Sequence, residues 1–194
     1  MQSTSAVSPL ARATGLDRIG QFGLVLGRII IGYLWYTQLL WKMPPQFGCP
    51  ANFAISTSIT HRTSGLCDWG GLMAIYSKLP IHAAFVKDVF LPNIRIFGWG
   101  VWLLEAFVCV SLVLGLFSRL GAFAGLLQAV NLYIGLTAIP GEWYWSYGML
   151  ITLQLIFFFL PPGRTLGVDT LLRKSLIPQA EKGNRLAQTL LWLT

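Results

Sequence analysis

The stretch WLLEAFVCVSLVLGLFSRLG, residues 102–121, decides the fold. From Trp102 to Phe117 it is apolar apart from Glu105, Ser111 and a glycine, and a run of that length and polarity reads as a membrane span. A carboxylate inside hydrocarbon is costly unless it is paired, solvated or neutralised, so Glu105 must have a partner or a task.

Working outward, a second apolar run starts directly after Ser118 and Arg119. The two runs therefore predict a tight antiparallel hairpin. With about 20 apolar residues needed to cross a core of about 30 Å, four spans are expected, at about 21–41, 96–117, 120–139 and 145–160. Composition agrees: the 194 residues are 55% apolar and 11% charged, with mean hydropathy +0.63, where soluble domains carry roughly 25% charged residues. The expected fold is all-α, an integral membrane four-helix bundle. The first 19 residues are polar and lack the apolar core of a cleavable signal peptide, so the first span is expected to direct insertion.

Orientation follows from basic residues at span ends. Arg12, Arg18, Arg119, Arg164, Arg173, Lys174, Lys182 and Arg185 share one side, whereas the 140–144 connection has no Lys or Arg. Trp41, Trp99, Trp102, Trp143 and Trp145 fall near the opposite face, as an aromatic belt does. Both termini are expected to be cytoplasmic. The organisation expected is a cytoplasmic segment 1–19, a membrane domain 20–175 and an amphipathic cytoplasmic tail 176–194, whose basic residues serve as a surface anchor.

Residues 42–94 form a long outer segment. Within it, 68–78 and 81–91 read as short helices punctuated by Pro80 and Pro92, lying at the interface and capping the bundle. Cys49 and Cys67 both fall there. Two outcomes are open: a disulfide, or two unpaired thiols in a folded cap. Cys109 lies in a span and reads as packing. The outer charges Lys42, Arg62, Lys78, Lys87 and Arg95 exceed Asp68 and Asp88, which suits a small dianionic substrate, although an ordinary solvated loop is the leading reading of such charge.

Polar residues at depth are the informative ones. Arg28, Gly32, Trp35, Leu39 and Lys42 share a stripe at helical spacing, Lys42 lying about 21 Å along the axis from Arg28. Gly32 leaves room for a neighbouring backbone. The third span carries Gln128 and Asn131, and the fourth Tyr147 and Gln154. A direct Arg28–Glu105 bridge is disfavoured, because rise per residue separates their Cα atoms by about 10 Å in depth. A linking group between them, or a neutral carboxyl, are the alternatives, as is Arg28 reaching to the inner face. His61 and His82 lie outside the spans, so no buried haem is expected. Without metal-ligand clusters or G-x-G-x-x-G, neither a metal nor a flavin is expected in this chain, and nothing suggests a nucleic-acid partner.

Three motifs together resemble the DoxX/DoxD family of small membrane proteins. The first is R28-III-G32 through K42, the second E105-AFVCVSLVL-G115-LFS-R119, and the third the close PPGRTLGVD at 161–169. The long capped loop and Leu-Gly-Val-Asp ending are more similar to DoxD. One position departs from the pattern, since Gln38-Leu39 stands where many relatives have His-Gly. The resemblance covers about residues 20–175 and implies a protein of the bacterial or archaeal cytoplasmic membrane. It also implies thiosulfate:quinone oxidoreductase chemistry, with thiosulfate oxidised to tetrathionate. In that reading Glu105 and Arg28 are the catalytic candidates. Gln38, Gln128, Asn131 and Tyr147 line a quinone pocket, and an anionic sulfur compound is the substrate. The competing expectation is a non-catalytic accessory subunit of a larger respiratory or photosynthetic electron-transfer complex, in which Glu105 only sets helix register.

Overall fold

A computed structural model describes residues 15–60 and 65–194, so Arg12, His61 and Arg62 lie outside the described residues. The described chain is all-helical, without a strand. Three helices are long and apolar enough to cross a membrane: Arg18–Leu40 within α1 (Gly15–Leu40), α4 (Ile94–Leu114) and α5 (Ser118–Leu136). The chain is a membrane protein by these helices. A fourth apolar helix, α6 (Tyr144–Phe159), has 16 residues. All four runs read from the sequence are helical, each ending within a few residues of its expected bounds.

Helix α1 packs along α4, α4 along α5, and α5 along α6. Their shared core contains Ile31, Trp35 and Leu39 from α1, Val108 and Leu112 from α4, Ala122 from α5 and Phe157 from α6. Gly32 allows the α1–α4 approach, because a Cβ there would lie 2.7 Å from Val113 Cγ2. Trp35 also donates to Gln154, which sits fully buried on α6 with its amide oxygen toward the indole at 2.9 Å.

The turn between α4 and α5 is the tight hairpin expected. Gly115 ends α4 in the left-handed region at φ 63°, where glycine carries no Cβ penalty. Its amide and carbonyl neighbours are then organised by Asp169 from the far end of the chain. The Phe117 and Ser118 amides donate to its carboxylate at 2.7 and 2.9 Å, and the Ser118 hydroxyl at 2.7 Å. A carboxylate on the free N–H groups of a helix start satisfies donors that have no partner within the helix.

The outer segment folds as a cap over the opposite end. It contains α2 (Gly65–Tyr76), α3 (Pro80–Phe85) and a π-helical turn at Val86–Phe90. Proline at the first turn of α3 occupies a position whose N–H needs no partner. Helix α2 packs on α5, placing Leu72 against Leu136 and Ile139. Cys49 and Cys67 are joined in a disulfide, with Cα atoms 5.4 Å apart, which decides between the two outcomes left open by the sequence. After α6 come a short turn, α7 (Gly163–Leu166), then α8 (Val168–Glu181) and α9 (Arg185–Leu193), packed on each other at the hairpin end.

The bridge closes an 18-residue separation, for which chain entropy gives stabilisation of about 3 kcal/mol. Cys49→Ser, Cys67→Ser and the double variant are each expected to lower the thermal unfolding midpoint in detergent by the same amount. The double should lose no more than either single.

Candidate functional site

The stripe on α1 faces the interior. Arg28, Gly32, Trp35, Leu39 and Lys42 are all buried, as their helical spacing requires. Lys42, just beyond the end of α1, reaches Glu105 in α4, with Nζ 2.6 Å from Oε1 and 2.5 Å from Oε2. The two residues are 4% and 1% exposed, so neither charge is solvated and each depends on the other. Gln128 of α5 donates from Nε2 to Glu105 Oε1 at 3.2 Å. Three helices therefore meet at one carboxylate, whose partner is the lysine of the stripe.

Beside this pair lies a cavity of about 810 Å³, within the range of small-molecule sites. Most of its wall is apolar, including Trp35, Leu66, Met73, Phe90 and Leu153. Of the residues singled out from the sequence, Gln38, Glu105, Gln128, Asn131 and Tyr147 all line it. Gln38 accepts from Trp41 Nε1 at 3.1 Å, and the Tyr147 hydroxyl donates to Glu142 at 2.7 Å.

Arg28 is not among the lining residues. It is buried at the hairpin end, where Nη2 donates to Leu166 O at 2.9 Å, and a Cβ at Gly115 would collide with its guanidinium. Asp169 is the carboxylate acting on it. The pairing of Arg28 with Glu105 disfavoured by helix rise is thus absent, and Arg28 is placed apart from the other candidates. At the same end Arg164 donates twice to Thr194 O, at 2.9 and 2.7 Å. Burial, followed by the neighbouring Arg173 and Arg119, lowers the Arg164 guanidinium below its ordinary value, opposed by Asp169.

Two wall residues escaped the sequence reading. Lys42 was visible on the buried stripe, but nothing in the sequence named Glu105 as its partner. His82 lies outside the spans, yet α3 folds back so that it lines the cavity, with Nε2 3.0 Å from Asn131 Oδ1 and Nδ1 2.8 Å from Ser77 Oγ. The apolar period of Ile81, Phe85 and Val89 predicted a helix there, but that stripe is exposed and His82 lies off it, so the pattern did not mark the histidine. Among the described residues no group of three or more His, Cys, Asp or Glu is placed to hold a metal ion.

The arrangement can bind an apolar ring and offer its oxygen both a donor, the Lys42 ammonium, and an acceptor, the Glu105 carboxylate. Removing one partner of a buried pair leaves the other charge uncompensated, at a cost of about 3–5 kcal/mol. Lys42→Met should therefore destabilise the protein strongly in thermal unfolding, and Lys42→Met with Glu105→Leu should recover most of the loss. No family model matches this chain, and no curated protein or solved structure is significantly similar to it.

Proposed function

We propose that the chain is a four-helix integral membrane protein of a bacterial or archaeal cytoplasmic membrane, with both termini cytoplasmic, that binds a quinone for membrane electron transfer. The observation that carries this reading is the 810 Å³ cavity, apolar over most of its wall yet backed by the buried Lys42–Glu105 pair. A quinone fits both features, since its ring and tail are hydrocarbon while its oxygen accepts when oxidised and donates when reduced. Lys42 would meet the ketone oxygen and Glu105 the hydroxyl.

The cavity's position suits a lipid-borne ligand. Leu34 and Trp41 on the α1 side and Met149 on α6 line it while remaining substantially exposed, at 48%, 38% and 47%. A ligand dissolved in the bilayer would enter between these two helices. At about 24 Å, α6 is shorter than the hydrocarbon core. It completes its crossing by local thinning of the bilayer and by Trp143 at its end.

The similarity of its motifs to DoxD adds a donor: two thiosulfate ions each lose one electron and join through a new S–S bond as tetrathionate, while the quinone takes two electrons and two protons. This chain has no cofactor-binding motif of its own, so partner subunits would carry electrons where thiosulfate does not deliver them directly. The accessory-subunit reading is favoured by one specific observation: Glu105 is already occupied by Lys42 and Gln128, the partners a purely structural carboxylate would have.

The test is titration of the full chain in nanodiscs with a short-chain quinone, followed by quenching of tryptophan fluorescence, since Trp35, Trp41 and Trp69 line the cavity. Saturable quenching is expected, weakened about tenfold in Gln128→Leu, the usual scale for losing a hydrogen bond to a charged or buried group. Absence of binding leaves the accessory reading in possession. Binding without thiosulfate-dependent quinone reduction assigns the electron donor to another subunit.

A further inference from the structure

Helix α9 ends against three arginines that come from three other helices. Arg119, in the first turn of α5, donates from Nε to Phe158 O at 3.2 Å and from Nη1 to Trp192 O at 3.1 Å. Arg164 of α7 bonds Thr194 O twice. Arg173 of α8 donates from Nη1 to Leu191 O at 2.9 Å and to Thr194 Oγ1 at 3.1 Å. Capping the open carbonyls of a helix end is an ordinary task for cations, but it does not account for three of them. A helix end carries about half a negative charge, and Thr194 adds at most one more. Asp169, which also acts on Arg164, already accepts from the Phe117 and Ser118 amides and the Ser118 hydroxyl. Among the described residues none of the three arginines forms an ion pair with an Asp or Glu. Their mutual repulsion is felt at Arg164, whose positive charge Arg173 and Arg119 both disfavour.

Donors are left over. Arg119 Nη2, Arg164 Nη1, and Arg173 Nε and Nη2 bond to nothing among the described residues. None of these atoms is enclosed, and all three side chains are half-buried. Their chain neighbours are bare hydrocarbon: Phe159 and Leu160 where α6 ends, Leu166 on α7 and Trp192 on α9 are each more than half exposed. The Arg119 guanidinium lies 5.6 Å from the centre of the Trp192 ring. Open cationic donors beside exposed apolar side chains, at the ends of membrane helices, match the boundary where lipid headgroups meet their acyl chains.

We propose that Arg119, Arg164 and Arg173 form a binding site for the phosphate of one anionic phospholipid, on the membrane face where the α4–α5 hairpin lies. The planar fork of a guanidinium suits the paired oxygens of a phosphate diester. Phe159, Leu160, Leu166 and Trp192 lie along the acyl chains. The site is distinct from the diffuse anchoring expected of the basic tail 176–194, because all three arginines precede that segment. One bound headgroup joins the start of α5 to α7 and α8, and so fastens the tail helices to the bundle.

The experiment adds phosphatidylglycerol, or phosphatidylcholine with the same acyl chains, to the full chain in detergent and reads bound lipid by native mass spectrometry. The two share the phosphate diester, but the choline ammonium cancels its charge. The wild-type chain is expected to hold one phosphatidylglycerol about tenfold more tightly, the scale of one hydrogen bond to a charged group. Arg119→Gln and Arg173→Gln should each remove most of that preference. Arg173→Lys, which keeps the charge without the fork, should retain part of it. Lys182→Gln with Arg185→Gln, on the tail, should leave it unchanged. Inorganic phosphate at the same concentration should not displace the lipid, because it has no acyl chains to bury. Equal binding of both lipids by the wild-type chain overturns the proposal, and that comparison requires no variant to fold. A tail variant that loses as much as Arg173→Gln overturns it in favour of diffuse anchoring. Displacement by inorganic phosphate overturns it in favour of a free anion, and a preference that survives both Arg→Gln variants overturns it outright.

Discussion

The pair formed by Lys42 and Glu105 is the constraint on which the rest of the arrangement depends. A lysine just past the end of α1 and a glutamate midway along α4 are both withdrawn from solvent. Two such charges are tolerable together and very costly apart. Their contact fixes how far α1 runs alongside α4, and Gly32 removes the side chain that would hold the two backbones apart at the middle of that contact. Gln128 then ties α5 to the same carboxylate. The cavity is what remains between these helices, α6 and the cap once the pair has closed.

The two ends of the structure are stabilised by different chemistry. At the hairpin end, Asp169 returns from the far side of the sequence to bind the first amides of α5, and Arg28 reaches the backbone beside it. This is polar glue for a turn of very few residues. At the cap end, a covalent bridge from Cys49 to Cys67 pins the start of α2 beneath the end of α1. The cap can then carry His82 into the cavity wall without needing a long helix of its own. A rigid hairpin end and a pinned cap leave the space between them defined, as a binding site requires.

Much of the helical framework was legible because hydrocarbon length and polarity leave few alternatives. Residues 102–121 could hardly be anything but a span followed by a turn, and the stripe from Arg28 to Lys42 showed which face of α1 turns inward. The polar set Gln38, Glu105, Gln128, Asn131 and Tyr147 could be picked out by its rarity within apolar runs, and it does line one cavity. Grouping Arg28 with that set was where one-dimensional reasoning exceeded its reach. Depth along a helix can be counted, but the company a side chain keeps at that depth cannot.

What the sequence by itself determined is the set of helices, the hairpin, the buried face of α1 and the presence of an internal carboxylate, because these follow from periodicity and from the cost of placing polar groups in lipid. Only the tertiary structure decided that Lys42 answers Glu105, that Arg28 belongs with Leu166 and Asp169, and that His82 faces Asn131. Each of those contacts joins residues at least 49 positions apart in the chain. At such separations no local rule relates one side chain to the other. The partner is chosen by how helices pack, and packing is settled by the whole set of side chains at once.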